Sequence, residues 1–287
     1  MTLAEHLHNI VDRLQRAGVP SPQADAESLC AHVLGISRGE LLAKLHLGGS
    51  LSESQTETLE NLVQRRVSRE PLQHLMGIAP FMAFEVSVGP GVFVPRPETE
   101  VLAERAIATA SSMGVGDNGL RVVDLCSGSG VLAIAIQRTV PHATVEAWEV
   151  SDEALPYLSR NVEVLAPGVA IRQASVSQWA SEVLPHSVDL IVGNPPYVPN
   201  DETPNDPEVQ HFDPPLALYG GEDGLDLIRE IVGGASSALR PGGVLMLEHS
   251  NVQGAEVRSL FEAHHFRSVL TERDLVGRDR FTQGYQP

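Results

Sequence analysis

Apolar residues recur at helical spacing from the start of the chain: Leu3, Leu7, Ile10, Val11 and Leu14 share a face, and Gly18-Val19-Pro20 closes that helix. Ser21-Pro22 has the N-cap and first-turn arrangement and opens a second helix, through Leu29, Cys30, Val33 and Leu34 to Gly35. A short third helix is predicted over Arg38–Leu45. Ser52 and Gln55 form a capping box for a fourth, which carries Leu59, Leu62, Val63 and Val67 on one face. Such amphipathic helices pack most simply as a small bundle, so residues 1–70 are predicted to be a helical domain. From Pro71 to Pro97 the pattern becomes strand-like. Phe81, Phe84, Val86, Val88, Val92, Phe93 and Val94, punctuated by Gly89-Pro90-Gly91, predict a β-hairpin linker over residues 71–97. Residues 98–287 begin with a helix over Thr99–Met113 and a loop over Gly114–Gly119, then alternate strands and helices to the end. That alternation predicts an α/β domain with a mostly parallel sheet covered by helices on both faces.

Bulk properties narrow the function. A length of 287 residues allows one large domain and a small one, and 42% hydrophobic with 20% charged residues is an ordinary soluble composition. No basic segment leads into an apolar core at the start, and no apolar run approaches the roughly 18 residues of a membrane span. Cys30 and Cys126 lie far apart, so neither a disulfide nor a zinc cluster is expected, and a reducing cytoplasm is the predicted location. His74, His211, His249, His264 and His265 have no metal-ligand spacing, and no metal is predicted. The net charge of −17, from 37 acids and 20 bases, argues against DNA as a partner. Arg65, Arg66 and Arg69 read as a solvated helix end, where cations suit the dipole.

The chemistry concentrates at two strand ends. The apolar run Val188–Gly193 reads as a buried strand, and Asn194-Pro195-Pro196-Tyr197 follows it. The Asn194 side-chain carbonyl and the Pro195 backbone carbonyl can each accept a hydrogen bond from a planar amino group. The two prolines hold those acceptors in place, and Tyr197 offers a flat face. Read alone, the four residues also fit an ordinary Pro-rich turn. The other strand end is the turn Cys126-Ser127-Gly128-Ser129-Gly130, between a strand at Leu120–Leu125 and a helix at Val131–Arg138. Its glycines allow close backbone approach to a ligand, and Asp124 stands at the strand's end. The next strand, Ala143–Trp148, ends in Glu149, an acid placed to take both hydroxyls of a ribose. Together these predict a nucleoside site. The turn lacks the full G-x-G-x-x-G pattern, which favours an adenosyl-type cofactor over a dinucleotide.

With these residues in view, the chain resembles the HemK/PrmC family of glutamine methyltransferases that modify peptide chain release factors. The likeness spans nearly the whole chain and is carried by Arg69–His74, Val92–Glu100, Asp124–Gly130, Asn194–Tyr197, Ala217–Asp226 and Gly277–Arg280. The Pro-Arg-Pro-Glu-Thr-Glu stretch and the Gly-Arg-Asp-Arg ending are the more specific of these. The resemblance implies a class I S-adenosylmethionine-dependent methyltransferase, with a Rossmann-like, seven-stranded catalytic domain behind the helical one. It implies methylation of the side-chain amide of the Gln in a release factor's Gly-Gly-Gln tip. Residues Cys126 to Gly130 would then cradle the cofactor's methionine end and Glu149 its ribose, while the stretch around Asn194 would hold the substrate amide. Departures from the family pattern are Cys126-Ser127 for Gly-Thr, Glu149 for Asp, and Glu248-His249-Ser250 for Glu-Ile-Gly. No acid follows the third strand, where Gln173 to Trp179 leaves Trp179 either to cover an adenine or to serve as a core aromatic.

The implied chemistry needs no base beforehand. Asn194 and the Pro195 carbonyl would accept the two hydrogens of the amide and stabilise the transition state as fixed dipoles. Glu98 and Thr99 are expected to cap their helix and line the pocket, Asp223 and Asp226 to be first-turn acids, and Cys126 to be no nucleophile. The helical domain is expected to dock the protein substrate. Two other readings compete. An adenine amino methyltransferase would need a basic surface to extract its base. A non-catalytic binding protein would not need an intact Asn194–Tyr197.

Overall fold

The computed structural model describes residues 2–113 and 119–287, so most of the predicted loop Gly114–Gly119 lies outside the described residues. The chain opens with five helices: α1 (Leu3–Arg16), α2 (Pro22–Leu34), α3 (Arg38–His46), α4 (Glu53–Val67) and α5 (Leu72–Met76). There follow β1 (Ile78–Phe81), β2 (Phe84–Ser87), α6 (Pro97–Ser112), β3 (Leu120–Leu125), α7 (Val131–Thr139), β4 (Ala143–Glu149), α8 (Leu155–Leu165), β5 (Ala170–Gln173), α9 (Val176–Glu182) and β6 (Val188–Gly193). The last third holds α10 (Pro207–Phe212), α11 (Pro215–Leu218), α12 (Asp226–Ala238), β7 (Leu239–Glu248), α13 (Gly254–Ala263), β8 (Arg267–Arg273) and β9 (Asp279–Tyr285). Among the described residues no helix is long and apolar enough to cross a membrane.

Two compact units result: Met1–Ile78 with Pro204–Phe212, and Ala79–Thr203 with Asp213–Pro287. The first unit buries the apolar stripe of α1 (Leu3, Leu7, Ile10, Leu14) with Leu29, Cys30, Leu41, Leu59, Leu62 and Val63. The Ser52–Gln55 capping box forms as predicted, and Thr2–Glu5 and Ser37–Glu40 repeat it at α1 and α3. Ser21 makes no side-chain cap; α2 starts instead on the fixed φ of Pro22 and ends on left-handed Gly35. Arg66 and Arg69 are not a solvated helix end. Arg66 is buried and donates to Asp25 and Glu208 at 2.7 Å each, while Arg69 grips Glu208 at 2.7 and 2.5 Å. Glu208 belongs to α10, so this cluster holds a later stretch of chain within the helical unit.

The second unit is a seven-stranded sheet in the order β5-β4-β3-β6-β7-β9-β8. Pairing is parallel from β5 through β7 and antiparallel for β7–β9 and β9–β8. One core cluster includes α6, α7 and α8, the other α9, α12 and α13, which gives the layered arrangement expected from the alternation. The hairpin is shorter and earlier than predicted. Its strands are β1 and β2, and the turn is Met82-Ala83 with Met82 at φ 50. Val92, Phe93 and Val94 lie outside any strand. Gly89 and Gly91 are there for packing: a Cβ at Gly89 would stand 2.4 Å from Tyr157 Oη, and one at Gly91 2.6 Å from Glu153 Cβ.

Replacing Glu208 by Ala would leave the buried Arg66 with one carboxylate to share its charge. Breaking a buried pair from one side is expected to cost about 3–5 kcal/mol, measured by urea denaturation of the full chain. A loss under about 1 kcal/mol would show the cluster to be screened by solvent.

Candidate active site

Chain order runs outward from β3 through β4 to β5 on one side and from β6 to β7 on the other, so the sheet reverses between β3 and β6. Ligands of open α/β sheets bind outside the carboxyl ends of the strands at such a switch point. Here the register pairs Leu125 with Gly193, which sets the Cys126–Gly130 turn beside Asn194–Tyr197. Gly193 permits this approach, because a Cβ there would lie 2.8 Å from the Leu125 carbonyl oxygen.

The glycine turn is shaped by positive φ at Cys126 (60), Gly128 (55) and Gly130 (87). A Cβ on Gly130 would meet Leu158 Cδ1 at 2.6 Å, whereas one on Gly128 meets nothing within 4 Å, so Gly128 borders open space. The N–H groups of Ser129, Val131 and Leu132 donate to no described residue, which leaves the start of α7 able to receive an anionic group. Glu149 is buried. Its Oε2 accepts from Gly128 N–H at 2.7 Å, and its Oε1 from the Val150 and Ser151 N–H groups at 2.9 and 2.8 Å. Three of about four lone-pair sites are therefore filled, and Glu149 shapes the turn while keeping one acceptor site. Holding both hydroxyls of a ribose would require it to release a backbone contact.

Asp124 is buried, with Oδ2 accepting from Ala133 N–H at 3.1 Å and Oδ1 lacking any partner. Burial pushes its carboxyl up to about 7, against the pull of the Ala133 N–H. Burial likewise pushes the Cys126 thiol well up, aided by the Glu149 charge, so it stays protonated and is a poor nucleophile. Trp179 takes the core role: it is 1% exposed, and a Cβ on Gly234 of α12 would stand 2.8 Å from its ring. An open cradle, an orphaned acceptor and one remaining acceptor on Glu149 fit a small ligand with an amino-acid end and a ribose. No cluster of three or more His, Cys, Asp or Glu suited to a metal occurs among the described residues.

Beside this cradle, Asn194 donates from Nδ2 to Thr99 Oγ1 at 3.4 Å. No described residue donates to Asn194 Oδ1 or to the Pro195 carbonyl, so both acceptors stay available. The turn is braced from behind. Gln253 Nε2 donates to the Tyr197 carbonyl at 3.0 Å, and Val198 N–H bonds the Leu218 carbonyl at 2.8 Å. Two glycines of the Ala217–Asp226 stretch lie against it: a Cβ on Gly220 would be 2.5 Å from the Pro196 oxygen, and one on Gly224 2.2 Å from the Tyr197 oxygen. Asp226 is a first-turn acid of α12, and Asp223 pairs with Arg229.

From the sequence, Glu98 and Thr99 are expected to cap their helix and line the pocket, and Glu248-His249-Ser250 stands out as a departure. Thr99, in the first turn of α6, is buried without capping its own helix. Glu248, at the end of β7, is 1% exposed, with Oε2 unpartnered. Burial raises its carboxyl to about 7; the Thr99 hydroxyl, Arg280 and the Tyr197 hydroxyl hold it down, while Glu98 opposes them. Burial and the Glu248 charge in turn push the Tyr197 phenol up. The Gly277–Arg280 stretch fastens the start of α6, with Arg278 bonded to Glu98 at 3.0 Å and to Asp274 at 3.0 Å. His249 is buried in a bonded set: Nδ1 meets the Ser250 carbonyl oxygen at 2.8 Å and Nε2 the Thr282 hydroxyl at 2.9 Å.

Comparison with known proteins supplies independent findings. A profile described as the PrmC N-terminal domain matches residues 5–77, and one described as the methyltransferase small domain matches residues 107–212. The release factor glutamine methyltransferase of Streptomyces coelicolor is 43% identical, over 94% of this chain and 92% of its own. That of Corynebacterium glutamicum is 38% identical over 98% of both. A 4-amino-L-phenylalanine/4-methylamino-L-phenylalanine methyltransferase of Streptomyces pristinaespiralis is 38% identical, over 91% of this chain and 88% of its own.

The raised carboxyl of Glu248 predicts a pH effect. Its proton is held more tightly folded (about 7) than in the ordinary state (4.5), so its contribution falls as pH rises from about 4.5 to about 7 and stays lost above. Relative to wild type, Glu248→Gln is therefore expected to gain stability across that window, by roughly 3 kcal/mol. Urea denaturation at several pH values checks this; a difference independent of pH would refute the buried carboxyl.

Proposed function

The chain belongs to the release factor glutamine methyltransferase family, and we propose that it methylates the side-chain amide nitrogen of the Gln in a release factor's Gly-Gly-Gln tip. The observation that carries this reading is the pair of free acceptors, Asn194 Oδ1 and the Pro195 carbonyl, beside an open glycine cradle. Two acceptors held by a proline-stiffened turn match the two hydrogens of a primary amide.

The enzyme depends on S-adenosylmethionine, which, when bound, supplies an electrophilic methyl group on a sulfonium. Cys126 to Gly130 hold its amino-acid end, with Asp124 Oδ1 available to an amino group and the start of α7 to a carboxylate. Glu149 offers its remaining acceptor to the ribose. Asn194 and Pro195 hold the substrate nitrogen by its two hydrogens and polarise the N–H bonds toward nitrogen, which favours attack through nitrogen. Pro196 keeps the turn rigid, and Tyr197 presents its ring to the flat amide. The amide proton released on methylation passes to water. The helical unit is assigned to docking the protein substrate, and the reaction to the cytoplasm, where release factors act. A net charge of −17 disfavours a nucleic acid substrate.

Mass spectrometry of a purified release factor, incubated with the protein and S-adenosylmethionine, is expected to show one added methyl on the Gly-Gly-Gln glutamine. Transfer to nucleic acid or to a free aromatic amine instead would leave the pocket and reject the substrate. Asn194→Ala is expected to lower kcat by roughly 100-fold or more while calorimetry shows cofactor binding retained. Full activity in that variant would reject the role given to Asn194.

A further inference from the structure

An asparagine amide has two ends of nearly equal size and opposite hydrogen-bonding character. If Asn194 turned its NH2 toward the substrate, donors would face donors and the amide would be repelled. Something in the protein must break that symmetry. We propose that Thr99, backed by Glu248, is a positioning residue that sets Asn194 with Oδ1 facing the substrate and Nδ2 facing the protein. This rests on the reading of Asn194 as the substrate's acceptor.

Thr99 Oγ1 lies 3.4 Å from Asn194 Nδ2, in the first turn of α6 and 2% exposed. A threonine hydroxyl alone would not choose, because it can accept from Nδ2 or donate to Oδ1. The choice is made by whatever takes its single hydrogen. Parallel pairing aligns Gly193 with Leu247, so Asn194 and Glu248 follow side by side at the ends of β6 and β7. Glu248 faces Thr99 there, and its buried Oε2 has no hydrogen-bond partner, so the carboxylate has an acceptor to offer the Thr99 hydrogen. With its hydrogen committed to Glu248, Thr99 has only lone pairs left for Asn194, and only Nδ2 can use them. The charged and polar groups facing Glu248 from the neighbouring elements are Glu98 and Thr99 of α6, Tyr197 of the turn and Arg280 of β9. Its burial leaves no water to replace them, so while the carboxylate is ionised and can only accept, the relay from Asn194 through Thr99 to Glu248 runs in one direction.

The orientation can be read without any substrate. In the 15N-labelled protein, nuclear Overhauser contacts from the Asn194 Nδ2 protons to the Thr99 side chain are expected. Their absence, with the Nδ2 protons exposed instead, would overturn the proposal whatever the substrate proves to be. Kinetics then give the consequence. Thr99→Val, which keeps the shape and loses the hydroxyl, is expected to lower kcat roughly 10- to 100-fold, with the calorimetric affinity for S-adenosylmethionine unchanged. Thr99→Ser is expected to restore most of the rate. Wild-type kcat in Thr99→Val, or equal impairment in Thr99→Ser, would overturn the proposal. A wild-type protein that leaves release factors unmethylated would instead reject the proposed function, and the nuclear Overhauser contacts would still decide the orientation.

Discussion

The parallel seam between β3 and β6 is the contact on which the site depends. It places the end of one strand, with its glycine cradle, beside the end of another, with its pair of free acceptors. The cost is borne by position 193, where any side chain would strike the Leu125 carbonyl. A slip of one residue along this seam would reverse which face each side chain meets and part the two turns. The site is thus a property of strand register before it is a property of any catalytic group.

Around that seam the protein spends its glycines and prolines on rigidity. Pro195 and Pro196 stiffen the turn, and Gly220 and Gly224 let a second loop lie directly on its backbone. Gln253 ties the same turn to α13 through the Tyr197 carbonyl. Fixed dipoles contribute to rate only when they need not reorganise during the reaction. The bracing therefore serves the proposed chemistry, although Gly220, Gly224 and Gln253 need not touch a substrate.

Much of this was legible in the sequence, and the failures have physical causes. The helices of the first unit followed from apolar spacing, and β3, β4 and β6 from runs of β-branched residues ending in polar groups. The Asn194 turn and the glycine cradle could be found because local backbone chemistry announces them. The hairpin was misplaced because Gly89-Pro90-Gly91 looks like a turn, whereas its glycines accommodate Tyr157 and Glu153, and the real turn sits on Met82. Arg66 looked solvated because its partners, Asp25 and Glu208, are 41 and 142 residues away. Thr99 and Asn194 are likewise brought together only by the fold. Trp179 was undecidable from its neighbours, since burial depends on α12 packing over it.

The chain's path through the two units has a further consequence. It leaves the helical unit after Ile78, returns for Pro204–Phe212, and leaves again. A gene cut after the opening helices would not separate two self-sufficient modules. The remaining piece would carry Glu208 without Arg66 and Arg69, on the same loop that begins with Asn194. The two units are therefore bound to a shared history: neither can be exchanged for a foreign counterpart unless the short segment after the Asn194 turn is exchanged with it.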